Sequence, residues 1–497
     1  MRARVPLAVC PPAGGGGLIR LDRFSPNFNN AESIGFVDVA PYPAYGYIYP
    51  FPPEVVANLA YFFTFHYKEP RNIQSYIAPI RKSMIAWSEA YATSDLFFVD
   101  KGEQLLIWDL RPGTATPLTV IDCAAHRALA YEAAVKSVVL LKNTNNILPI
   151  RADVRRIAVV GPTATNLDVL HGNYCGLNDS MRTLLEGIVG RVPEGTNVEY
   201  RPGCALNQPT INPLDRTVLK AAQADVTIAC MGLSPWLEGE ESDAILATNG
   251  GDRLDITLPA NQVEFVKRLV DAGANVVLVL TGGSPIALGE LADLVEAAVF
   301  VWYPGQEGGK AVADVLFGTA APSGKLPLTF PESIAQLPSF EDYSMVGRTY
   351  RYSTAEPLYP FGLGLSYTRF RYTDLALARE TVAAGESLPC RVTLSNTGTV
   401  AADEVAQFYL TDLEASVPVP LCTLIGFQRV RVAPGESKSL AFTVSPDMMM
   451  LVDDEGKQRL EPGQFRVTVG GCSPSARGVA LGAPEPVSKV FTVAPRP

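Results

Sequence analysis

A chain of 497 residues exceeds what one hydrophobic core organises, so two or three domains are expected. Its 47% hydrophobic and 19% charged residues are those of a globular protein, which excludes intrinsic disorder. A formal net charge of -10 without a long Lys/Arg run excludes a nucleic-acid footprint.

The first 17 residues, MRARVPLAVCPPAGGGG, carry basic groups but too short an apolar stretch for a secretory leader. A cytoplasmic chain is therefore expected, and no window reaches the roughly 18 apolar residues that a membrane helix needs. Cys10, Cys123, Cys175, Cys204, Cys230, Cys390, Cys422 and Cys472 are scattered, with no C-x-x-C pair and only 3 histidines in the chain. That pattern predicts small buried thiols in a reducing compartment, with no metal site and no cofactor.

Residues 1–120 predict a small α+β segment rich in aromatics and proline, as in PYPAYGYIYPFPPE at 41–54. Helices are expected over Glu54–Tyr61 and Ile73–Tyr91, then strands DLFFVD and QLLIWDL about the turn at Lys101-Gly102. From 125 to 335 the pattern changes. Arg156–Val160, Val226–Met231, Val276–Leu280 and Ala297–Trp302 are apolar but for Arg156 and Thr227, and read as strands buried on both faces of a parallel sheet. Between them lie amphipathic stretches such as Pro259–Ala272, where Val263, Val266, Leu269 and Val270 share one side. The fold class is α/β, a doubly wound α/β sandwich.

A connector over 336–372 contains LYPFGLGLSY, and from 373 to 495 the apolar period becomes two. Val392/Leu394, Phe408/Leu410, Leu440/Phe442/Val444 and Phe465/Val467/Val469 each mark one face of a strand, with turns at 396–398, 433–435 and 461–463. Short strands with regular turns predict an all-β sandwich, and the missing Cys-Trp-Cys pin favours a fibronectin III-like form over an immunoglobulin.

Ligands of open parallel sheets bind at the carboxyl ends of the strands, where loops and helix N-termini converge. Four loops leave such ends, at 161–165, 232–243, 281–285 and 303–309, and are expected to share one edge. The second holds Glu238, Glu240, Glu241 and Asp243 beside Trp236. Crowded carboxylates repel, which favours keeping one protonated as a general acid requires. Trp236 and Trp302 could offer flat apolar faces to a sugar ring. On composition alone an acidic loop is more often a solvated surface, and a tryptophan more often core. Gly305–Lys310 has the wrong spacing for a phosphate loop, and Ala311 stands where a Ser or Thr would meet Mg²⁺; a tight turn and a helix over Lys310–Phe317 are expected instead.

Read in order, HRALA (126–130), KSVVLLKN (136–143), NILP (146–149), IAVVGP (157–162), LEGEE (237–241), GDR (251–253), WYPGQEGG (302–309), PSGKLP (322–327), GRTYRY (347–352) and YPFG (359–362) resemble the C-terminal half of family 3 glycoside hydrolases. The resemblance to this β-glucosidase and β-xylosidase group continues through NTG (396–398), DEV (403–405) and PGES (434–437) into the last domain. It implies an active site shared between an N-terminal (β/α)8 barrel that gives an Asp nucleophile and the α/β sandwich that gives the acid/base. Glu240 is then the acid/base candidate, with Glu241 and Glu238 as alternatives, and β-linked oligosaccharides or glycosides are the implied substrates.

A retaining mechanism needs a second carboxyl group about 5–5.5 Å from the first. The barrel that should carry it takes roughly 200 residues or more, whereas only about 125 precede the resembling region. No complete TIM barrel is expected and no nucleophile is found, Ser94-Asp95 being a two-letter coincidence. The first region resembles, more weakly, the C-terminal tail of radical SAM peptide-maturation methyltransferases, through RFSP (23–26), ANLAYFF (57–63) and LLIWDLRP (105–112), without their cysteine cluster. Two functions remain open. One is a carbohydrate-active remnant, weakly active or inactive unless another chain supplies the barrel; the other is a non-catalytic fusion or scaffold that makes only protein or sugar contacts.

Overall fold

The computed structural model describes residues 21–69 except 24 and 50, residues 78, 82, 96–100 and 105–109, and residues 122–495 except 173–177, 179, 210–214, 241–245 and 247–250. The expected helix Ile73–Tyr91 and the Ser94-Asp95 pair fall almost wholly outside the described residues. The chain divides into two compact units, Met1–Cys123 with Val452–Gln458, and Ala124–Leu451 with Arg459–Pro497.

In the first unit, strands β1 (Leu21–Asp22), β2 (Phe36–Pro41) and β3 (Phe62–Tyr67) form an antiparallel sheet in the order β1-β3-β2. Its strands are hard to read from the sequence because FVDVAP carries an Asp and a Pro, and only Phe36 of the six is buried. The helix expected from Glu54 runs over Pro53–Leu59, its first turn started by prolines. The two later strands occur as β4 (Leu96–Asp100) and β5 (Leu105–Asp109), paired antiparallel.

The second unit opens with the helix Ala124–Ser137, followed by β6 (Val139–Asn143), β7 (Arg156–Val160), β8 (Asn197–Arg201), β9 (Val226–Gly232), β10 (Val276–Thr281) and β11 (Ala297–Trp302). Their order is β6-β11-β10-β9-β7-β8. All neighbours are parallel except β6, which lies antiparallel on β11. Alternate residues of every strand but β8 feed two separate cores. Val276, Leu278 and Leu280 of β10 pack with Phe265, Val266 and Leu269 of the helix Ala260–Asp271. Val277 and Val279 pack with Leu184 and Ile188 of the helix Leu184–Val189 and with Val312, Val315 and Leu316 of the helix Gly308–Leu316. Both faces are thus covered, as a doubly wound sheet requires.

The remaining strands build a sandwich, with β12 (Phe370–Leu377), β14 (Leu388–Asn396) and β17 (Ser437–Val444) in one sheet. The facing sheet runs β13-β21-β20-β15-β16, made of β13 (Thr381–Ala383), β15 (Ala402–Asp412), β16 (Thr423–Val432), β20 (Gly463–Gly470) and β21 (Val487–Ala494); β18 (Leu451–Val452) and β19 (Gln458–Arg459) pair separately. Val392, Leu394, Phe408, Leu410, Leu440, Val444, Phe465, Val467 and Val469 meet in its core. Lys325, from the α/β part, reaches into this sandwich to Glu404 of β15. Among the described residues there is no closed barrel and no helix long and apolar enough to cross a membrane.

Candidate active site

In this strand order the chain runs from β7 out to β8 at the edge, then crosses back to β9 on the other side of β7, from where the later strands continue in the opposite direction. The crevice of such a sheet opens at that switch point, beyond the carboxyl ends of β7 and β9. Both strands end in a glycine with positive φ, Gly161 and Gly232. A side chain at Gly161 would overlap the backbone of Cys230, and one at Gly232 the backbone of Thr281, so the departing chain can hug its neighbour only there.

The segment after β9 makes a single helical turn, Pro235–Glu238. Trp236 is 42% exposed, and its indole Nε1–H donates to Asp168 Oδ2 at 2.8 Å, bridging the loops that follow β9 and β7. Glu238 points the other way, with its side chain only 6% exposed. The Gly283 N–H donates to Glu238 Oε1, and Ser284 Oγ donates to Oε2 at 3.1 Å. Arg253 Nη1 stands 3.9 Å from Oε2. That guanidinium also donates to Ser284 Oγ at 2.8 Å, Pro285 O at 2.9 Å and Thr257 O at 3.0 Å. The Tyr303 hydroxyl is buried against the same carboxyl group and closes no hydrogen bond of standard geometry. Glu238, Asp252, Arg253, Gly283, Ser284 and Tyr303 line a cavity of about 330 Å³. A larger depression of about 520 Å³, edged by Arg155, Asp225 and Asn275, lies at the amino ends of the strands, away from this edge.

Burial pushes the Glu238 carboxyl above its ordinary value, against the pull of the Gly283 N–H, Arg253, Tyr303 and Ser284. Burial likewise raises Tyr303, with the Glu238 charge adding to it, and lowers Arg253. A raised carboxyl was expected in this loop from crowding among acids; the leading cause is instead desolvation, since the groups facing Glu238 are donors and a cation.

Glu240 is exposed on the loop edge, beyond Gly239, where the helix stops and the backbone is extended (φ -68, ψ 168). Glu241 and Asp243 lie outside the described residues. Trp302, the last residue of β11, is partly buried; its Nε1–H donates to Ser137 O at 3.1 Å and its ring sits edge-on to Phe300 at 4.6 Å. The loops at 232–243, 281–285 and 303–309 do converge through Glu238, Ser284 and Tyr303. Sequence reasoning does not single out Arg253, Ser284 or Tyr303, although GDR and two of the strand-end loops contain them, and it gives no signal for Asp168. Among the described residues no group of three or more His, Cys, Asp or Glu is placed to hold a metal ion.

Residues 138–367 match the glycosyl hydrolase family 3 C-terminal domain, and residues 404–473 the fibronectin type III-like domain. Residues 138–367 form a glycosyl hydrolase family 3 C-terminal domain. The chain is 34% identical over 385 residues to a β-xylosidase of Formosa agariphila, covering 74% of this chain and 52% of that protein. It is also 34% identical over 396 residues to a periplasmic β-glucosidase of Salmonella typhimurium, covering 73% of this chain and 50% of that one. Among solved structures, a β-glucosidase from Erythrobacter marinus superposes with a TM-score of 0.65 at 31% identity, over 76% of this chain and 51% of that chain. The chain therefore spans about half the length of the family 3 relatives it matches. The resemblance of the first region to radical SAM maturase tails finds no support in these comparisons.

Proposed function

We propose that the second unit supplies the acid/base half of a family 3 β-glycosidase site, acting on β-linked glucosides or xylosides, with Glu240 as the acid/base. The observation that carries this reading is the contrast in exposure within one loop: the Glu238 side chain is only 6% exposed, whereas Glu240, two residues on, is exposed. A general acid must reach the glycosidic oxygen before its pKa matters. Glu241 and Glu238 stand as alternatives, and Trp236 and Trp302 as the platforms for a sugar ring. The opposing nucleophile comes from a barrel-bearing polypeptide in this reading, and without it turnover falls by several powers of ten. The six described cysteines are all free, five of them buried, which supports action in a reducing compartment such as the cytoplasm.

The test offers p-nitrophenyl β-xyloside and β-glucoside to the purified chain and to its Glu240→Gln variant. Turnover abolished in the variant supports the assignment, and loss only in Glu238→Gln moves the acid/base to Glu238. The second reading, a scaffold, is favoured by the lack of a closed barrel among the described residues. It prevails if there is neither turnover nor a sugar-dependent melting shift.

A further inference from the structure

We infer that Glu238 is a positioning residue: with Arg253 and the Gly283-Ser284 turn it clamps the neck of the loop that leaves at Gly239 and returns at Asp252, and so fixes where Glu240 stands. The inference deepens the acid/base reading of Glu240 and rests on it.

Three other segments of the chain meet at the Glu238 carboxylate. The turn after β10 grips it twice, through the Gly283 N–H on Oε1 and Ser284 Oγ on Oε2. A Cβ at residue 283 would stand 2.7 Å from Glu238 Oε1, so any side chain there makes the carboxylate shift. Arg253 ties the returning strand of the loop to the same turn and to the carboxylate. Tyr303, at the end of β11, closes the remaining side. The neck itself is sealed by the Asp252 N–H donating to Gly239 O at 3.1 Å. Leu246 N–H returns to Trp236 O at 3.0 Å, so the loop also folds back on the turn that carries Glu238. Asp252 holds a positive φ of 27°, a strained conformation for a residue with a side chain, which persists only where surrounding contacts impose it. A carboxylate with both oxygens occupied and only 6% exposed does not extend to a substrate. Its mechanical effect is to hold Gly239, and with it the first exposed acid beyond the helix end.

Amide hydrogen exchange on the full chain tests the clamp without any need for activity. Glu238→Ala is expected to speed exchange at Asp252 and Gly283 by about tenfold or more, while Leu278 in the middle of β10 keeps its protection and reports that the sheet is folded. Glu238→Gln, which retains an acceptor for the Gly283 N–H, is expected to restore most of the protection. Unaltered exchange at Asp252 in Glu238→Ala overturns the inference. Where turnover is measurable, Glu238→Ala lowers kcat with KM little changed and Glu238→Gln recovers much of it. An equal loss in the two variants assigns Glu238 a chemical role and overturns the clamp. If the unaltered chain shows neither turnover nor a sugar-dependent melting shift, the acid/base reading fails while exchange still decides whether the clamp exists.

Discussion

Replacing Glu404 by Ala should destabilise the second unit severely, because it strands a buried cation at the joint between the α/β part and the sandwich. Glu404 and Lys325 have side chains only 3% and 10% exposed. Lys325 Nζ donates to both Glu404 oxygens at 3.2 Å and to Gly364 O at 2.8 Å, and the Tyr372 hydroxyl donates to Glu404 Oε1 at 3.1 Å. Without the carboxylate, Lys325 keeps a single acceptor and Tyr372 has none. Removing one member of a buried pair costs about 3–5 kcal/mol, most of it the desolvated charge left behind. The cost then lies in the stranded charge and not in the lost contact. The triple variant Lys325→Met, Glu404→Leu, Tyr372→Phe should therefore recover to within about 1.5 kcal/mol of the starting stability. Urea unfolding followed by circular dichroism measures both quantities. A cost below about 1 kcal/mol for Glu404→Ala would place the pair among solvent-screened surface bridges, and a triple variant as unstable as the single one would refute the charge-stranding argument.

Burial elsewhere in the second unit sets two more outcomes. Since burial raises the Glu238 carboxyl above its unfolded value, its charged form is disfavoured by folding. Stability relative to Glu238→Gln should then fall as pH rises from the ordinary glutamate range through the raised value; paired urea titrations between acid and neutral pH check the sign, and a difference that grows with pH contradicts it. The helices Leu184–Val189 and Gly308–Leu316 touch through glycines, and a methyl at Gly187 would overlap the Gly309 carbonyl. Gly187→Ala should cost about 1–3 kcal/mol by overpacking despite its better helix propensity, read as a lowered melting temperature.

The parts of the fold legible in the sequence are those where one physical demand acts alone. Val276–Leu280 and Ala297–Trp302 are apolar at nearly every position because both faces of the sheet are covered, and short runs of that kind between amphipathic helices arise where a strand is buried on both sides. By contrast β8, NVEYR, sits at the sheet's edge with no residue fully buried, so its polar composition hides it. The antiparallel direction of β6 was equally hidden, since burial pattern is the same whichever way a strand runs. In the site, the acidic loop and its edge of the sheet could be read, because the rule that places them depends only on strand direction. What each acid does could not, because Glu238 is buried by Gly283 and Ser284, 45 and 46 residues downstream.

Burial and reach point to different acids of the loop. A carboxyl raised by burial beside a cavity is, on electrostatic grounds, the natural acid candidate, and by that criterion Glu238 comes first. Proton transfer also needs the acid's oxygen within hydrogen-bond reach of the leaving group, and a carboxylate accepting from Gly283 and Ser284 beside Arg253 would have to break those bonds to get there. The same donors that hold Glu238 make the next acid of the loop better placed, because they fix the chain at Gly239 while Glu240 remains at the exposed rim. On the acid/base reading proposed above, the buried, raised carboxyl of Glu238 is an anchor and Glu240 is the acid that meets the sugar.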